Sequence, residues 1–406
     1  MTLAHGRPIL AIPGPSVMPD RVLSAMHRAA PNIYEGALPD MMPALIADLK
    51  AVARSSGHVA IYIGNGHAAW EAANMNLFSR GDGALGLVTG RFGENWAAEA
   101  RAVGVDVQTI DFGRRGPVDA DQVETVLRAD HAGHIKTVLL THVDTATSVR
   151  NDVAAVRAAI DAAGHRALLA VDCIASLACD DFRFDEWGVD VMVAASQKGL
   201  MVPPGLGLVW VSERARHACA GSDLRTPYWD WTGRLKPDFF YEYFHGTAPT
   251  HHLFGLRTAL DMILREEGLD AVITRHGVLA RAVWAGLAHL GSRGSLRFNI
   301  EDPAHRSHAV TGLRIDAPDA RRLREWTETM AGVTLGIGLG MAAPGSPEAH
   351  GFFRIGHMGH LNLHMVLGTL GVIEAGMAAL GIPHAPGAAS AAAAAAAAEA
   401  GPGPIV

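Results

Sequence analysis

The sequence predicts an α/β protein whose mostly parallel sheet carries helices on both faces, followed by a smaller C-terminal α+β domain. Three observations point there. Between residues 17 and 265, short apolar strands alternate with amphipathic helices, the pattern of a parallel sheet covered on both sides. From 266 to 385 that alternation stops, and a long helix pattern, a polar loop, one strand and another helix follow. The chain has 406 residues, 49% apolar and 18% charged, enough to bury a large core shared by two domains.

In chain order, residues 1–16 read as an N-terminal arm. Asp40 is a plausible N-cap for a helix buried through Met41, Met42, Leu45, Ile46, Leu49 and Val52. Strands are expected at 59–63, 84–88, 105–110, 135–141, 167–172, 191–194 and 206–211. A helix is expected over 119–128, with Asp119 and Gln122 at capping-box spacing. In the second domain, a helix around 279–290 precedes a strand at 311–315 and a helix from Asp319. The tail, 386–406, is an alanine run that can be helical in part but has no apolar face of useful size, and it is expected to be frayed or disordered.

Bulk properties exclude several classes. A net charge of −7 without any basic run gives no nucleic-acid footprint. No apolar stretch approaches the roughly 18 residues of a membrane span. The N-terminus has no signal-peptide hydrophobic segment, and Cys173, Cys179 and Cys219 are too few for a disulfide framework. A soluble cytoplasmic protein is the expectation.

Three motifs carry chemistry. Ile61-Tyr62-Ile63-Gly64-Asn65-Gly66-His67 runs from an apolar strand through Gly-Asn-Gly into a helix, presenting free backbone N–H groups to an anion. An ordinary tight turn reads the same way, and Trp70 and Glu71 stand where a dinucleotide fingerprint needs its third glycine. Ala167-Leu168-Leu169-Ala170-Val171-Asp172 puts a carboxylate at a strand's C-terminal end, as a ligand contact or a cap. Lys198 follows the apolar strand ending Val193-Ala194-Ala195 and precedes Val202-Pro203-Pro204-Gly205. Desolvation there would make its amine nucleophilic, the alternative being a snorkelling surface lysine. A phosphate cradle, a carboxylate for a ring nitrogen and a lysine for an aldehyde together are what pyridoxal phosphate requires.

The chain resembles the class V aminotransferases of fold type I, among them the serine–glyoxylate, aspartate–glyoxylate and alanine–glyoxylate enzymes. The resemblance extends from Ile12-Pro13-Gly14-Pro15 to about residue 385. It is carried by Pro19-Asp20-Arg21-Val22, Phe184-Asp185-Glu186-Trp187-Gly188, Ser196-Gln197-Lys198-Gly199-Leu200-Met201 and Phe353-Arg354-Ile355-Gly356-His357-Met358-Gly359. It implies pyridoxal 5'-phosphate bound to Lys198, with Asp172 on the pyridine nitrogen and Phe92 stacked on the ring. It places Thr145 at O3′, with Asn65, Gly66, His67, Ile174 and Gln197 around the cofactor. Thr247 would reach the phosphate of the neighbouring subunit in a homodimer with shared sites, dimer against tetramer staying open. Arg354 would clamp the substrate carboxylate. The implied reaction moves an amino group from a small amino acid (serine, alanine or aspartate class) to a 2-oxo acid, glyoxylate first.

Departures from the family pattern bear on substrate. Tyr34 and Glu35 replace a His-Arg-Ser-like stretch near the expected substrate side chain; a carboxylate pointing inward would favour an amine, and a solvated one would do nothing. Asn65 replaces a common serine, and Ser148 stands where glycine is usual. A pyridoxamine-using transaminase or a lyase on the same fold is the alternative. A desulfurase is disfavoured, since no cysteine follows Cys219. His357, His360 and His364 have helical spacing but no carboxylate in register, so no metal site is expected.

Overall fold

The computed structural model describes residues 2–401. Its central sheet has seven strands in the spatial order His58–Gly64, Gly205–Val211, Val191–Ala195, Leu168–Asp172, Ile135–Thr141, Gly83–Val88 and Asp106–Asp111. Gly205–Val211 runs antiparallel to both neighbours, and every other pair is parallel. Successive side chains of these strands alternate between two cores, because the strand repeat is two residues. Val59, Ile61, Leu169, Val171 and Met192 enter one core, and Ala60, Tyr62, Leu168, Ala170 and Val191 the other. Each expected strand is present within one residue of its ends.

The helix expected from Asp40 starts earlier. It spans Ala37–Ala53 with Gly36 at its N-cap, and Asp40 lies in its first turn. There the carboxylate still faces the positive helix end, so the signal was right in kind and misplaced by one turn. Asp119 does cap Ala120–Ala129, accepting from Asp121 N–H at 3.0 Å and from the Gln122 side chain at 2.9 Å.

A second sheet of five strands has the order Ile9–Ala11, Val333–Ile337, Phe352–Gly356, Val310–Arg314 and Arg297–Phe298. The segment read as an arm is therefore part of it: Ile9, Leu10 and Ala11 pair in parallel with Val333, Thr334 and Leu335. Helix Leu269–Gly291 spans both cores, with Val272 in the large one and Leu279 to Leu290 in the small one.

The alanine tail is a second correction. Ala388–Ala400 is a helix packed on Leu269–Gly291 and Leu363–Ala379, with Ala388, Ala392 and Ala396 buried. Bulk was the wrong criterion, because the partner surface is also small. A Cβ built on Gly286 would lie 2.9 Å from the Ala388 carbonyl oxygen and 3.4 Å from Ala392 Cβ. Glu374 accepts from Gly387 and Ala388 N–H at 2.9 and 2.8 Å, holding the helix start, and Arg281 pairs with Glu399 near its end. Residues 402–406 of the expected tail lie outside the described residues.

Candidate active site

The parallel strands deliver their C-terminal ends to one rim of the large sheet, and a cavity of about 230 Å³ opens there. Asn65, Gly66, His67, Phe92, Thr145, Asp172, Ile174, Gln197 and Lys198 all line it, from five separate strand ends. Trp70, Val143 and Ala175 complete the wall.

Lys198 sits in the short connection between Val191–Ala195 and the returning strand Gly205–Val211. Its backbone is tied to the N-terminal segment: Ser16 Oγ donates to the Lys198 carbonyl at 2.7 Å and Ser16 N–H to that of Gln197 at 2.9 Å. The Lys198 amine donates to the Pro13 carbonyl, and its stem crosses Gly14, where any Cβ would collide with it. Gly14, at φ +97°, thus meets both demands that only glycine satisfies, a left-handed backbone and a close approach. Desolvation, then the positive charge of Arg354, lowers the Lys198 pKa to about 8, against a weaker opposing pull from Asp172. Roughly a tenth of the amine is then neutral at pH 7, far more than in an ordinary lysine.

Asp172 ends strand Leu168–Asp172 and is buried. Burial pushes its pKa up to about 7, opposed by the Ile174 N–H that donates to Oδ1 at 2.7 Å and by the Trp70 indole that donates to Oδ2 at 3.2 Å. A cationic ring nitrogen beside it would restore the ionised form.

Arg354 stands on strand Phe352–Gly356 of the small sheet and is 7% exposed. Its Nε donates to the Ile337 carbonyl at 2.7 Å and its Nη1 to that of Thr145 at 2.8 Å. No carboxylate lies within ion-pair distance of it among the described residues, which removes the structural ion pair as its explanation. Burial lowers its pKa to about 10, with Asp144 opposing, so the guanidinium stays charged at neutral pH.

Asn65, Gly66 and His67 bring the N-terminus of helix Gly66–Leu77 to the cavity wall. Asn65 caps it, its Oδ1 accepting from His67 and Ala68 N–H at 3.1 and 3.3 Å. An anion docking there would compete with that side chain for the same donors. The buried Gln197 Oε1 has no hydrogen-bond partner among the described residues. A helix N-terminus, a buried carboxylate and a lysine of lowered pKa in one cavity fit a phosphorylated pyridine aldehyde.

The model of the family Aminotransferase class-V matches residues 50–355. The chain belongs to the class-V aminotransferases. It is 36% identical over 395 residues to the serine–glyoxylate aminotransferase of Methylorubrum extorquens, covering 95% of each chain. It is 34% identical over 378 residues to the L-aspartate–glyoxylate aminotransferase of Paracoccus denitrificans, covering 92% of this chain and 91% of that one. The structure of pyridoxamine–pyruvate aminotransferase from Mesorhizobium loti superposes with a TM-score of 0.86 at 26% identity, over 97% of this chain and 98% of that one. This aminotransferase therefore uses pyridoxal phosphate and has the fold-type I architecture expected of it.

Other residues of the aminotransferase were harder to foresee. Asp144, buried, accepts from Phe92 and Gly93 N–H at 2.8 and 3.2 Å through Oδ2 and from Ala146 N–H at 2.9 Å through Oδ1. It joins the first turn of helix Arg91–Ala102, which bears Phe92, to the turn bearing Thr145. Sequence reasoning passed over it, although it adjoins Thr145. Ser148 adopts φ +65°, the left-handed backbone that explains the usual glycine. Its hydroxyl compensates by accepting from Gly312 N–H at 2.9 Å, a bond to a strand of the five-stranded sheet.

Four predicted residues do not line the cavity of the single chain: Arg354, which stands behind its wall bonded to the Thr145 carbonyl, and Tyr34, Glu35 and Thr247. Tyr34 is 84% exposed, and Glu35 is also exposed, near only the Asn32 amide at 3.4 Å. Thr247 is exposed as well. No group of His, Cys, Asp and Glu that could hold a metal occurs among the described residues, and no described helix is long and apolar enough to cross a membrane. His357 is instead a core residue, Nδ1 facing the His308 carbonyl at 2.8 Å and Nε2 facing Thr311 Oγ1 at 2.8 Å.

Proposed function

We propose that this aminotransferase moves the amino group of a small amino acid of the serine, alanine or aspartate class to a 2-oxo acid, glyoxylate first. The observation that carries the reading is the buried Arg354 guanidinium without an anionic partner, set against Thr145 at the cavity. Both an amino acid and a 2-oxo acid carry the α-carboxylate that would pair with it, and a guanidinium fork binds a carboxylate through two parallel bonds. The names of the two glyoxylate-using relatives support the acceptor.

Bound pyridoxal phosphate supplies an aldehyde that takes up the amino group and a ring that accepts electrons as the substrate Cα–H bond breaks. Lys198 would hold the aldehyde carbon with loss of water and, once displaced by the substrate amine, would be the base that takes the proton from Cα. Asp172 would keep the pyridine nitrogen protonated. Phe92 and Ile174 would cover the ring, Thr145 would reach its oxygen, and Asn65, Gly66, His67 and Gln197 would hold the phosphate side.

A homodimer with shared sites completes the reading. Thr247 is exposed in one chain, as are Tyr34 and the stacked pair Phe239 and Tyr241, at 84%, 61% and 52%. A second copy would cover them and bring Thr247 to the neighbouring phosphate, with Tyr34 and Glu35 at the substrate. Mixing Lys198→Ala and Thr247→Ala subunits should then create one intact site per mixed dimer and activity above either parent. Three buried thiols, none paired, suit a reducing cytoplasm.

The test is an absorbance scan of the purified holoenzyme with single amino acids and no acceptor. Serine, alanine or aspartate should bleach the yellow aldehyde form, and glyoxylate should restore it. Bleaching by none of the three would refute the donor class. The second reading, a pyridoxamine-using enzyme, is favoured by the superposition on pyridoxamine–pyruvate aminotransferase. Turnover of free pyridoxamine with pyruvate would establish it.

A further inference from the structure

We propose that Trp70 is a positioning residue that clamps the Asp172 carboxylate in the orientation a pyridine nitrogen requires. The inference rests on the reading of Asp172 given above and adds a residue to it. The two Asp172 oxygens are held from different elements, Oδ1 by the Ile174 N–H at 2.7 Å and Oδ2 by the Trp70 indole N–H at 3.2 Å. With one donor on each oxygen, the carboxylate plane cannot turn freely.

The indole is itself immobilised. Trp70 is fully buried and lies parallel to Trp96, centroids 6.1 Å apart and planes 8° apart. The Trp96 indole donates to Asn74 Oδ1 at 3.1 Å, on the same helix as Trp70. Phe92 meets Trp70 edge-on at 6.2 Å. The clamp thus shares one rigid stack with the aromatic residue assigned to the cofactor face.

Helix Gly66–Leu77 gives this arrangement a second consequence. Its N-terminus is the phosphate cradle, and Trp70 follows Gly66 by four residues, about 6 Å along the helix axis. One helix therefore fixes both the phosphate end of the pocket and the carboxylate at its nitrogen end. A buried indole needs an acceptor in any protein. The choice of this carboxylate as the acceptor is what ties the packing to the cofactor.

The experiment compares two ligands on the apo form of the full chain: pyridoxal phosphate, and 1-deazapyridoxal phosphate, in which C–H replaces the ring nitrogen. Trp70→Phe removes the donor and should weaken pyridoxal phosphate about tenfold while leaving the deaza analogue nearly unchanged. Equal weakening of both, or of neither, overturns the proposal. Should Trp70→Phe fold poorly, 3-benzothienylalanine at position 70 replaces N–H by sulphur in the same shape, and the same selective loss is expected. Wild-type binding of both ligands by that isostere overturns the proposal too. Asp172→Ala separates the two levels. If it weakens only pyridoxal phosphate while Trp70→Phe is unselective, the clamp alone fails. If Asp172→Ala is itself unselective, the reading of Asp172 fails and the clamp with it.

Discussion

Nη1 of Arg354 donates to the carbonyl oxygen of Thr145 at 2.8 Å, a bond between residues 209 positions apart. It brings a cation of the small sheet to the rim of the large one, and the Ile337 carbonyl fixes Nε at 2.7 Å. The guanidinium is held in one orientation before substrate arrives. Arg354→Lys keeps the charge and loses the fork. A fall in kcat/KM of about 100-fold, near 3 kcal/mol, is expected, with cofactor retention unchanged. Steady-state kinetics beside a cofactor titration checks it, and equal loss of both would make the residue structural.

The lowered pKa of Lys198 sets a second expectation. The neutral amine is the nucleophile, so the rate at which apo protein takes up pyridoxal phosphate should rise with pH and level off above about 8. Lys198→Ala should abolish both uptake as a covalent adduct and turnover. Arg354→Met removes a neighbouring positive charge that favours the neutral amine, so the midpoint should move to higher pH. Stopped-flow absorbance across a pH series reads both.

His276 yields a stability prediction. It is fully buried, with Nδ1 against the Val272 carbonyl at 2.7 Å and Nε2 accepting from Gly359 N–H at 2.9 Å. Burial lowers its pKa to about 3, whereas an unfolded histidine titrates near 6.5. Between those values the unfolded chain binds the extra proton, so this contribution is intact above about 6.5 and is lost as pH falls toward 3. Denaturant unfolding at a series of pH values should therefore show His276→Asn with a pH slope shallower by about 1.4 kcal/mol per unit. An unchanged slope would refute it.

The docked alanine helix is open to the same kind of test. Ala392→Glu puts a charge against Gly286 and Leu370 and should cost about 3 kcal/mol of stability, or undock the helix. Glu399→Ala removes only a half-exposed ion pair to Arg281 and should cost under about 1 kcal/mol. Thermal melts of the two variants give the comparison.

Strands were legible because a buried strand announces itself locally, through a run of apolar residues bounded by turn chemistry. The same locality made Asp172 and Lys198 visible, each at the end of such a run. Trp70 was not, because its partner lies 102 residues away and an indole in a helix reads as core filling. The docking of the alanine helix was hidden for a related reason: the groove it fills exists only because Gly286 lacks a side chain. Tyr34 and Glu35 were noticed for their chemistry, but no local signal tells which surface an exposed side chain will meet.

Strand His58–Gly64 has a single sheet neighbour, the returning strand Gly205–Val211, which pairs with it across some 140 residues. That returning strand also pairs with Val191–Ala195, a neighbour close in sequence, and local pairs close sooner than distant ones. The lysine-bearing hairpin can therefore assemble early, while the strand leading to Asn65 has nothing to join until that hairpin has formed. Cofactor capture needs both, so a newly made chain cannot complete its coenzyme site before the hairpin some 140 residues beyond Asn65 has formed.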